Sequence, residues 1–183
     1  MNRISNIPLP EQNLTAIAAG LVLQWLRPWR MPGSKRVHRV AGGLVAAAGA
    51  GLIARSWAAA GQVDLARPGR LVTSGPYALS RNPMYVGWSL LQLGLGVASR
   101  NAWLAAMLPV AAGWIHREVL REERVLASSF GDDYARYRAK VPRYAGSVVL
   151  LRGRDRGAGV VPDVAGVLGQ YRLGADQDRA AEL

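Results

Sequence analysis

Residues 40–54 read VAGGLVAAAGAGLIA, fifteen residues without a charged side chain between two arginines. Small residues recur along this run at helical spacing, with Gly42, Ala46 and Ala50 four positions apart. The run lacks the polar stripe that a surface helix of a soluble protein carries, and small side chains let helices approach closely in lipid. We therefore predict a transmembrane helix near residues 40–57.

Three further uncharged runs predict three further helices. Each is shorter than the roughly 18 residues typical of a transmembrane span, but tryptophans and arginines lie near the run ends, where both favour the membrane interface. The sequence predicts an all-α integral membrane bundle of about four transmembrane helices, with two spans plus buried or re-entrant helices as the alternative. The other three spans are predicted near residues 14–27, 84–99 and 101–117.

The composition excludes several classes of protein. The 183 residues include no cysteine, so a disulfide scaffold and a Cys-ligated zinc or iron–sulfur site are excluded. Lys and Arg number 23 against 12 Asp and Glu, yet the cations border the apolar runs instead of following one helix face. Without a recognised binding motif, this placement argues against nucleic acid as a partner. We find no pattern of a cleavable signal peptide.

The cations predict an orientation in the membrane. With four spans, 17 basic residues fall on the side of the two termini and six on the other. The positive-inside rule then places both termini in the cytoplasm. The basic connector 27–39 conflicts with this orientation, and a re-entrant first segment would remove the conflict.

The segment 67–87, RPGRLVTSGPYALSRNPMYVG, lies between the second and third predicted spans. Its glycines and prolines predict a shaped loop, and Pro83 suits the first turn of a helix. That helix start offers free N–H groups to an anionic ligand, although a simple capped connector would look similar. Four hydrogen-bonding side chains fall within nine positions of the segment: Tyr77, Arg81, Asn82 and Tyr85.

A second polar segment, residues 114–144, reads WIHREVLREERVLASSFGDDYARYRAKVPRY. We predict that it continues the fourth span as a helix, ends at Gly131 and resumes from Asp133 to about Lys140. Taken alone, its glutamates are typical of a solvated helix with ion pairs at helical spacing. His116 has a structural reading, as a hydrogen-bonding residue, and a chemical one, as a base.

The two segments together resemble one family. GPYALSRNPMYVG, followed by EERVLASSFGDDYARYRAKVPR, resembles the paired signature of the integral-membrane methyltransferases that include isoprenylcysteine carboxyl methyltransferase and the phospholipid N-methyltransferases. The resemblance covers residues 68–143 and fits the bacterial-type members. It departs from the eukaryotic carboxyl methyltransferases at Asn82, where they usually have histidine.

The resemblance implies S-adenosylmethionine as cofactor, and no metal. It implies a catalytic role for Arg81, Glu122 and Glu123. The partners that it implies are membrane lipid and a lipophilic or lipid-linked acceptor carrying a carboxylate, an amine or a thiol. The same resemblance implies that the cofactor pocket is formed by Gly75, Tyr77, Arg81, Asn82, Tyr85, Glu122 and Glu123.

The sequence also predicts a domain organisation, and it leaves two alternative functions open. We expect a membrane methyltransferase domain over residues 1–144, with cofactor segments 67–87 and 116–144, and a flexible cytoplasmic tail over 145–183. The expected location is a bacterial inner membrane, with the active site facing the cytoplasm. A sterol-reductase-like oxidoreductase using NADPH, or a non-catalytic membrane protein of the same architecture, remains as an alternative.

Overall fold

The described part of the chain is built from helices. The computed structural model describes residues 10–61 and 70–144, and the predicted tail 145–183 lies outside these ranges. A single isolated β-bridge, between Arg30 and Asn101, joins two loops. The predicted all-α class is thus confirmed. The helices are α1 (Glu11–Leu26), α2 (Lys35–Ala60), a short 3-10 helix (Gly75–Ala78), α3 (Pro83–Ser99), α4 (Ala102–Ala106) and α5 (Leu108–Lys140).

The closest helix pairing is that of α2 with α3, and glycines make it possible. A Cβ atom added at Gly49 would lie 2.6 Å from the Gly87 carbonyl oxygen and 2.6 Å from the Leu91 nitrogen. Gly42 and Gly94 likewise meet backbone of the opposing helix. The two helices therefore touch backbone to backbone, as the small residues of 40–54 predicted.

The α2 helix presents apolar surface outward. Over 18 residues its mean hydropathy is 1.5, and only 11% of that window is buried. Leu44, for example, is 68% exposed. A core helix of a soluble protein would be largely covered, so this surface suits lipid. Within ranges 10–61 and 70–144, α2 is the one helix both long and apolar enough to cross a membrane, and the four-span bundle stays a prediction.

Buried polar side chains attach α1 to the rest of the bundle. The Asn13 amide donates to Gln92 Oε1 at 2.9 Å, and Gln92 donates in turn to the Leu104 carbonyl at 3.1 Å. Both amide side chains are fully buried. In an apolar bundle such a bond fixes the register of the helices, because an unpaired amide would be costly.

The fourth predicted span, 101–117, is not one helix. The α4 helix ends at Ala106 and α5 starts afresh at Leu108, with Pro109 in its first turn. Pro109 lacks an N–H and its ring would clash with the carbonyl four residues earlier, so an unbroken helix is disfavoured here.

The last helix continues far beyond the predicted span. The α5 helix runs to Lys140, and its helical geometry is interrupted at Gly131, with φ of 48° and ψ of −120°. That φ lies in the left-handed region, where glycine carries no steric penalty. The predicted break at Gly131 and the predicted end near Lys140 are confirmed.

We predict that Gly49→Ala destabilises the protein, because the new methyl group would overlap backbone of α3. Overpacking of this kind costs about 1–3 kcal/mol. The measurement is the thermal midpoint in detergent.

Gly43→Ala is the matched control on the same helix, since nothing lies within 4 Å of a Cβ added there. It should leave the thermal midpoint unchanged or raise it, because alanine is the better helix former. Equal effects of the two substitutions would contradict the close packing of α2 on α3.

Candidate active site

The polar segment before α3 is shaped by one glycine and one proline. Gly75 has a φ of 61° and begins the 3-10 helix. Asn82 is the residue before α3, and its backbone N–H donates to Ser80 Oγ at 3.2 Å. Pro83 then occupies the first turn of α3. The shaped loop and the helix start predicted from the sequence are both present.

The chain after α5 returns to this loop and binds it. The Arg81 N–H donates to the Pro142 carbonyl at 2.9 Å. The Arg143 carbonyl accepts from the Ser80 hydroxyl at 3.2 Å and from the Asn82 amide at 3.3 Å. The two motifs, which are separated in sequence by most of α3, by α4 and by the first part of α5, therefore form one unit.

A buried ion cluster holds that unit to α5. Arg81 Nη1 lies 2.9 Å from Glu123 Oε1, and Arg143 binds both oxygens of the same carboxylate at 2.9 Å. The Tyr134 hydroxyl accepts from Arg81 at 3.2 Å. The side chains of Arg81 and Glu123 are 9% and 10% exposed. This Arg81–Glu123–Arg143 cluster ties the loop, α5 and the segment after it together.

The Glu123 carboxylate is held ionised by its partners. Burial on its own would raise its pKa, but the Arg143 hydrogen bonds and the charges of Arg81 and Arg143 bring the pKa below its usual value. Removing Glu123 from such a cluster is destabilising, because the charge of Arg81, whose side chain is 9% exposed, then stays buried without its counter-charge. The geometry therefore gives Glu123 a framework role.

A cavity of about 470 Å³ opens beside the cluster, between the loop, α3 and α5. The Tyr137 hydroxyl donates to the Tyr77 carbonyl at 2.7 Å, and both residues line the cavity. The volume is in the range of small-molecule pockets. Five of the residues predicted for the site line this cavity: Tyr77, Arg81, Asn82, Tyr85 and Glu122.

Two predicted residues do not line the cavity. Neighbouring residues on a helix point about 100° apart, and here Glu122 and Glu123 have different surroundings. Glu122 faces the cavity and Glu123 faces the arginines. Gly75 lies two residues before Tyr77, at the start of the 3-10 helix, and its φ of 61° is one that favours glycine.

The acidic wall of the cavity is linked to its aromatic wall. The Tyr85 hydroxyl donates to Glu122 Oε1 at 2.7 Å. Glu122 is exposed by surface area, yet the cavity walls draw its carboxylate away from bulk water and raise its pKa. The nearby Glu118 and Glu123 charges act in the same direction, and the Tyr85 hydrogen bond opposes them. A cationic partner would therefore stabilise the ionised form of the Glu122 carboxylate.

Other lining residues escaped the sequence reasoning. Trp88 lies one helical turn after Tyr85 and shares its face of α3, but it stood inside an uncharged run. Glu118 lines the cavity one turn before Glu122. It forms an ion pair at 3.1 Å with Arg121, the residue next to Glu122, which also lines the cavity. The helical spacing from Tyr85 and Glu122 was the signal that could have identified Trp88 and Glu118.

A second cavity, of about 340 Å³, lies between α3 and α5 and shares Tyr85 with the first. Its walls are almost wholly apolar, with Leu90 from α3 and Ile115 from α5 among them. His116 and Tyr144 form its polar end, with His116 Nδ1 3.2 Å from the Tyr144 hydroxyl. The two cavities therefore share one tyrosine in their walls, and the first is the more polar of the two.

We predict that Glu123→Gln lowers the free energy of unfolding by about 3 kcal/mol at neutral pH, because two arginines lose their counter-charge. A carboxylate with a lowered pKa contributes stability above its unfolded pKa and loses it as pH falls through the folded pKa. The difference between wild type and variant should therefore shrink in acid. Denaturant unfolding in detergent across acidic and neutral pH measures it.

Asp132→Asn is the control, since Asp132 is an exposed acid on the same helix. It should change stability little at any of these pH values. A Glu123→Gln variant as stable as Asp132→Asn would contradict the structural role of the cluster.

Comparison with known proteins gives a consistent family. The profile of the phospholipid methyltransferase family matches residues 39–133, which is more than half of the chain. The match runs from the start of α2 past the kink in α5 and includes the whole loop before α3.

Individual relatives are similar over a shorter stretch. The cobalt-zinc-cadmium resistance protein CzcN of Cupriavidus metallidurans is 40% identical over 86 residues, covering 46% of this chain and 39% of CzcN. Protein-S-isoprenylcysteine O-methyltransferase of Schizosaccharomyces pombe is 39% identical over 74 residues, covering 39% of this chain and 31% of that protein. The human protein of the same name is 36% identical over 73 residues, covering 39% and 26%. The matched stretch thus spans well under half the length of each relative. The family match over 39–133 nevertheless covers both walls of the larger cavity, and the chain belongs to the phospholipid methyltransferase family.

Proposed function

We propose that this protein transfers a methyl group from S-adenosylmethionine to a lipophilic or membrane-partitioned acceptor. The observation that carries the proposal is the larger cavity, whose walls come from both motifs of the family signature. It combines two carboxylates, three tyrosines, three arginines and an asparagine in one small-molecule-sized space.

The residues present fit the cofactor. S-adenosylmethionine presents cationic ammonium and sulfonium groups together with acceptor atoms on its carboxylate, ribose and adenine. Glu122 supplies an acceptor for a cationic group, and burial in the cavity raises its pKa. Arg81 Nε and Trp88 Nε1 are buried donors that have no partner among the described residues, and both side chains line the cavity. We propose that Tyr77 and Asn82 add further polar contacts.

Methyl transfer requires the protein to position the two reactants and to exclude water. The cofactor supplies an already activated methyl group on a sulfonium. The chain's task is to hold the acceptor in line with that methyl group, and a fixed pocket contributes by removing the entropy of bringing two reactants together. Tyr85 stands between the two cavities and is bound to Glu122, so it fixes where they meet.

We propose that the apolar cavity holds the hydrocarbon part of the acceptor. Its lining side chains lie along α3 and α5 and offer almost no polar surface, so burial of apolar area is the interaction available there. A thiol or a primary or secondary amine must release a proton on methylation, and we propose His116, at the polar end of this cavity, as the candidate base. A carboxylate acceptor needs no base.

We propose that the described helices form a four-span membrane unit, with the methyltransferase domain over 1–144 and the tail 145–183 beyond it. The α1–α2 connection and the α3–α4 connection meet at one end, through the N–H of Met31 and the carbonyl of Arg100 at 3.0 Å. The loop before α3 lies at the other end, next to Ala59 of α2. With the positive-inside rule, the cavity end faces the cytoplasm of a bacterial cell.

We predict that Glu122→Gln weakens S-adenosylmethionine binding about tenfold or more, because a charge-assisted contact becomes neutral. Tyr85→Phe should weaken binding severalfold. Since the Glu122 pKa lies above its usual value of 4.5, affinity should begin to fall at a higher pH than for an ordinary glutamate as the solution is acidified. Titration calorimetry of the detergent-purified protein over a pH series measures both effects.

Asp132→Asn provides the matched control, as an acidic residue of α5 away from the cavity. It should retain wild-type affinity and the wild-type pH profile, whereas Glu122→Gln should lose that profile. Tight binding of NADPH without binding of S-adenosylmethionine would instead support the oxidoreductase alternative, and binding of neither the non-catalytic one.

The lack of cysteine permits a direct test of the membrane arrangement, since single cysteines can be introduced without background. Ser34→Cys lies in the α1–α2 connection and Ser128→Cys on the exposed surface of α5. We predict that a membrane-impermeant maleimide labels Ser34→Cys from outside sealed cells and Ser128→Cys only after the membrane is opened. Labelling of both from the same side would overturn the four-span arrangement.

A further inference from the structure

The connection between α1 and α2 carries a concentration of charge that the methyltransferase site does not use. Between Glu11 and Asp64 the chain has no acidic residue. Within that stretch, five cationic residues gather at the α1–α2 end, and all are exposed. They form what we call the basic end: Arg27, Arg30, Lys35, Arg36 and Arg39.

The basic end is held in a fixed shape. The Trp103 indole donates to the Arg27 carbonyl at 2.8 Å, and Trp103 packs edge-on against Trp29 with ring centroids 5.1 Å apart. The Arg100 guanidinium donates twice to the Met31 carbonyl, at 2.6 and 2.9 Å. The backbone between α1 and α2 is therefore tied to Arg100 and to Trp103 of α4.

The surroundings of the basic end are those of a membrane interface. Trp25 is 81% exposed and Trp29 is 51% exposed, and exposed tryptophans favour the headgroup level. Apolar side chains of both helices continue from there toward the middle of the molecule, as Leu21 and Leu44 illustrate. A cationic rim above an apolar surface matches the order of headgroups and hydrocarbon in a leaflet.

The length of α2 separates the basic end from the candidate active site. Arg39 and Arg55 bound the uncharged run of α2, and sixteen residues of helix span about 24 Å. With extended arginine side chains this approaches the roughly 30 Å of a hydrocarbon core. The loop before α3 lies near the far end of α2, since Gly75 faces Ala59 there.

We propose that the basic end is a binding surface for anionic phospholipid headgroups, in the leaflet opposite the candidate active site. Several exposed cations without a nearby acid attract the phosphates of several lipids at once, and the bordering apolar surface accommodates their chains. The cations surround no cavity among those described, so the surface suits a layer of headgroups better than one enclosed anion. The proposal requires insertion in a membrane and is independent of methyl transfer.

The test uses the full chain in phosphatidylcholine vesicles that contain equal small fractions of brominated phosphatidylglycerol or of brominated phosphatidylcholine. Bromine quenches tryptophan on contact, and Trp25, Trp29 and Trp103 lie at the basic end. We expect the anionic lipid to quench wild type at least about twofold more efficiently at low salt. High salt should reduce the preference, because it screens exposed charges.

Variants assign the preference to this surface. Replacing the five cations of the basic end by glutamine should bring the two quenching efficiencies to parity, and the double variant Arg36→Gln/Arg39→Gln should bring them part of the way if the larger variant fails to fold. A matched control replaces five exposed cations of α5 by glutamine and should keep the preference: Arg117, Arg124, Arg136, Arg138 and Lys140.

Two outcomes would overturn the proposal. One is equal quenching of wild type by both brominated lipids. The other is a preference that survives loss of the basic end and disappears in the α5 control. Since no cofactor or acceptor enters the measurement, either outcome leaves the methyltransferase proposal untouched, and failure of cofactor binding leaves this one untouched.

Discussion

The carboxylate of Glu123 is the point on which the candidate site depends. It is buried on α5 and binds two arginines, one from the loop before α3 and one from the segment after α5. Hydrogen bonds from the loop to the Pro142 and Arg143 carbonyls also join these two segments to each other. Because both guanidinium groups converge on one carboxylate, the loop, the helix and the returning chain form a single wall, and the cavity beside them has a defined shape.

Much of the fold follows from the positions of the uncharged runs and of the glycines and prolines in the sequence. Uncharged runs predict the helices, and the glycines of 40–54 predict close packing that is seen at Gly42 and Gly49. Pro109 is the exception, because a proline inside an apolar run does not reveal whether the helix bends or restarts. The structure restarts it. Hydropathy indicates whether a run lies in an apolar environment, whereas the break between α4 and α5 is a local steric effect of Pro109.

The candidate site is less readable from sequence than the fold. The signature predicted which segments meet, and five of its seven named residues line the cavity. It treated Glu122 and Glu123 alike, although one helix position separates a cavity residue from a buried framework residue. Deciding between them needs the position of Arg143, which approaches Glu123 only after the chain has turned back past Pro142. Such long-range contacts leave no local pattern.

The unbroken first part of α5 has a consequence for the choice of acceptor. Ile115 lines the smaller cavity and Glu122 the larger one, and seven residues of helix separate them by about 10 Å. Under the proposed function, this length of helix sets the distance between the cavity proposed for a hydrocarbon chain and the cavity proposed for methyl transfer. An acceptor whose reactive group lies at the end of an apolar tail would match this spacing, whereas one with the group in mid-chain would have to bend around Tyr85.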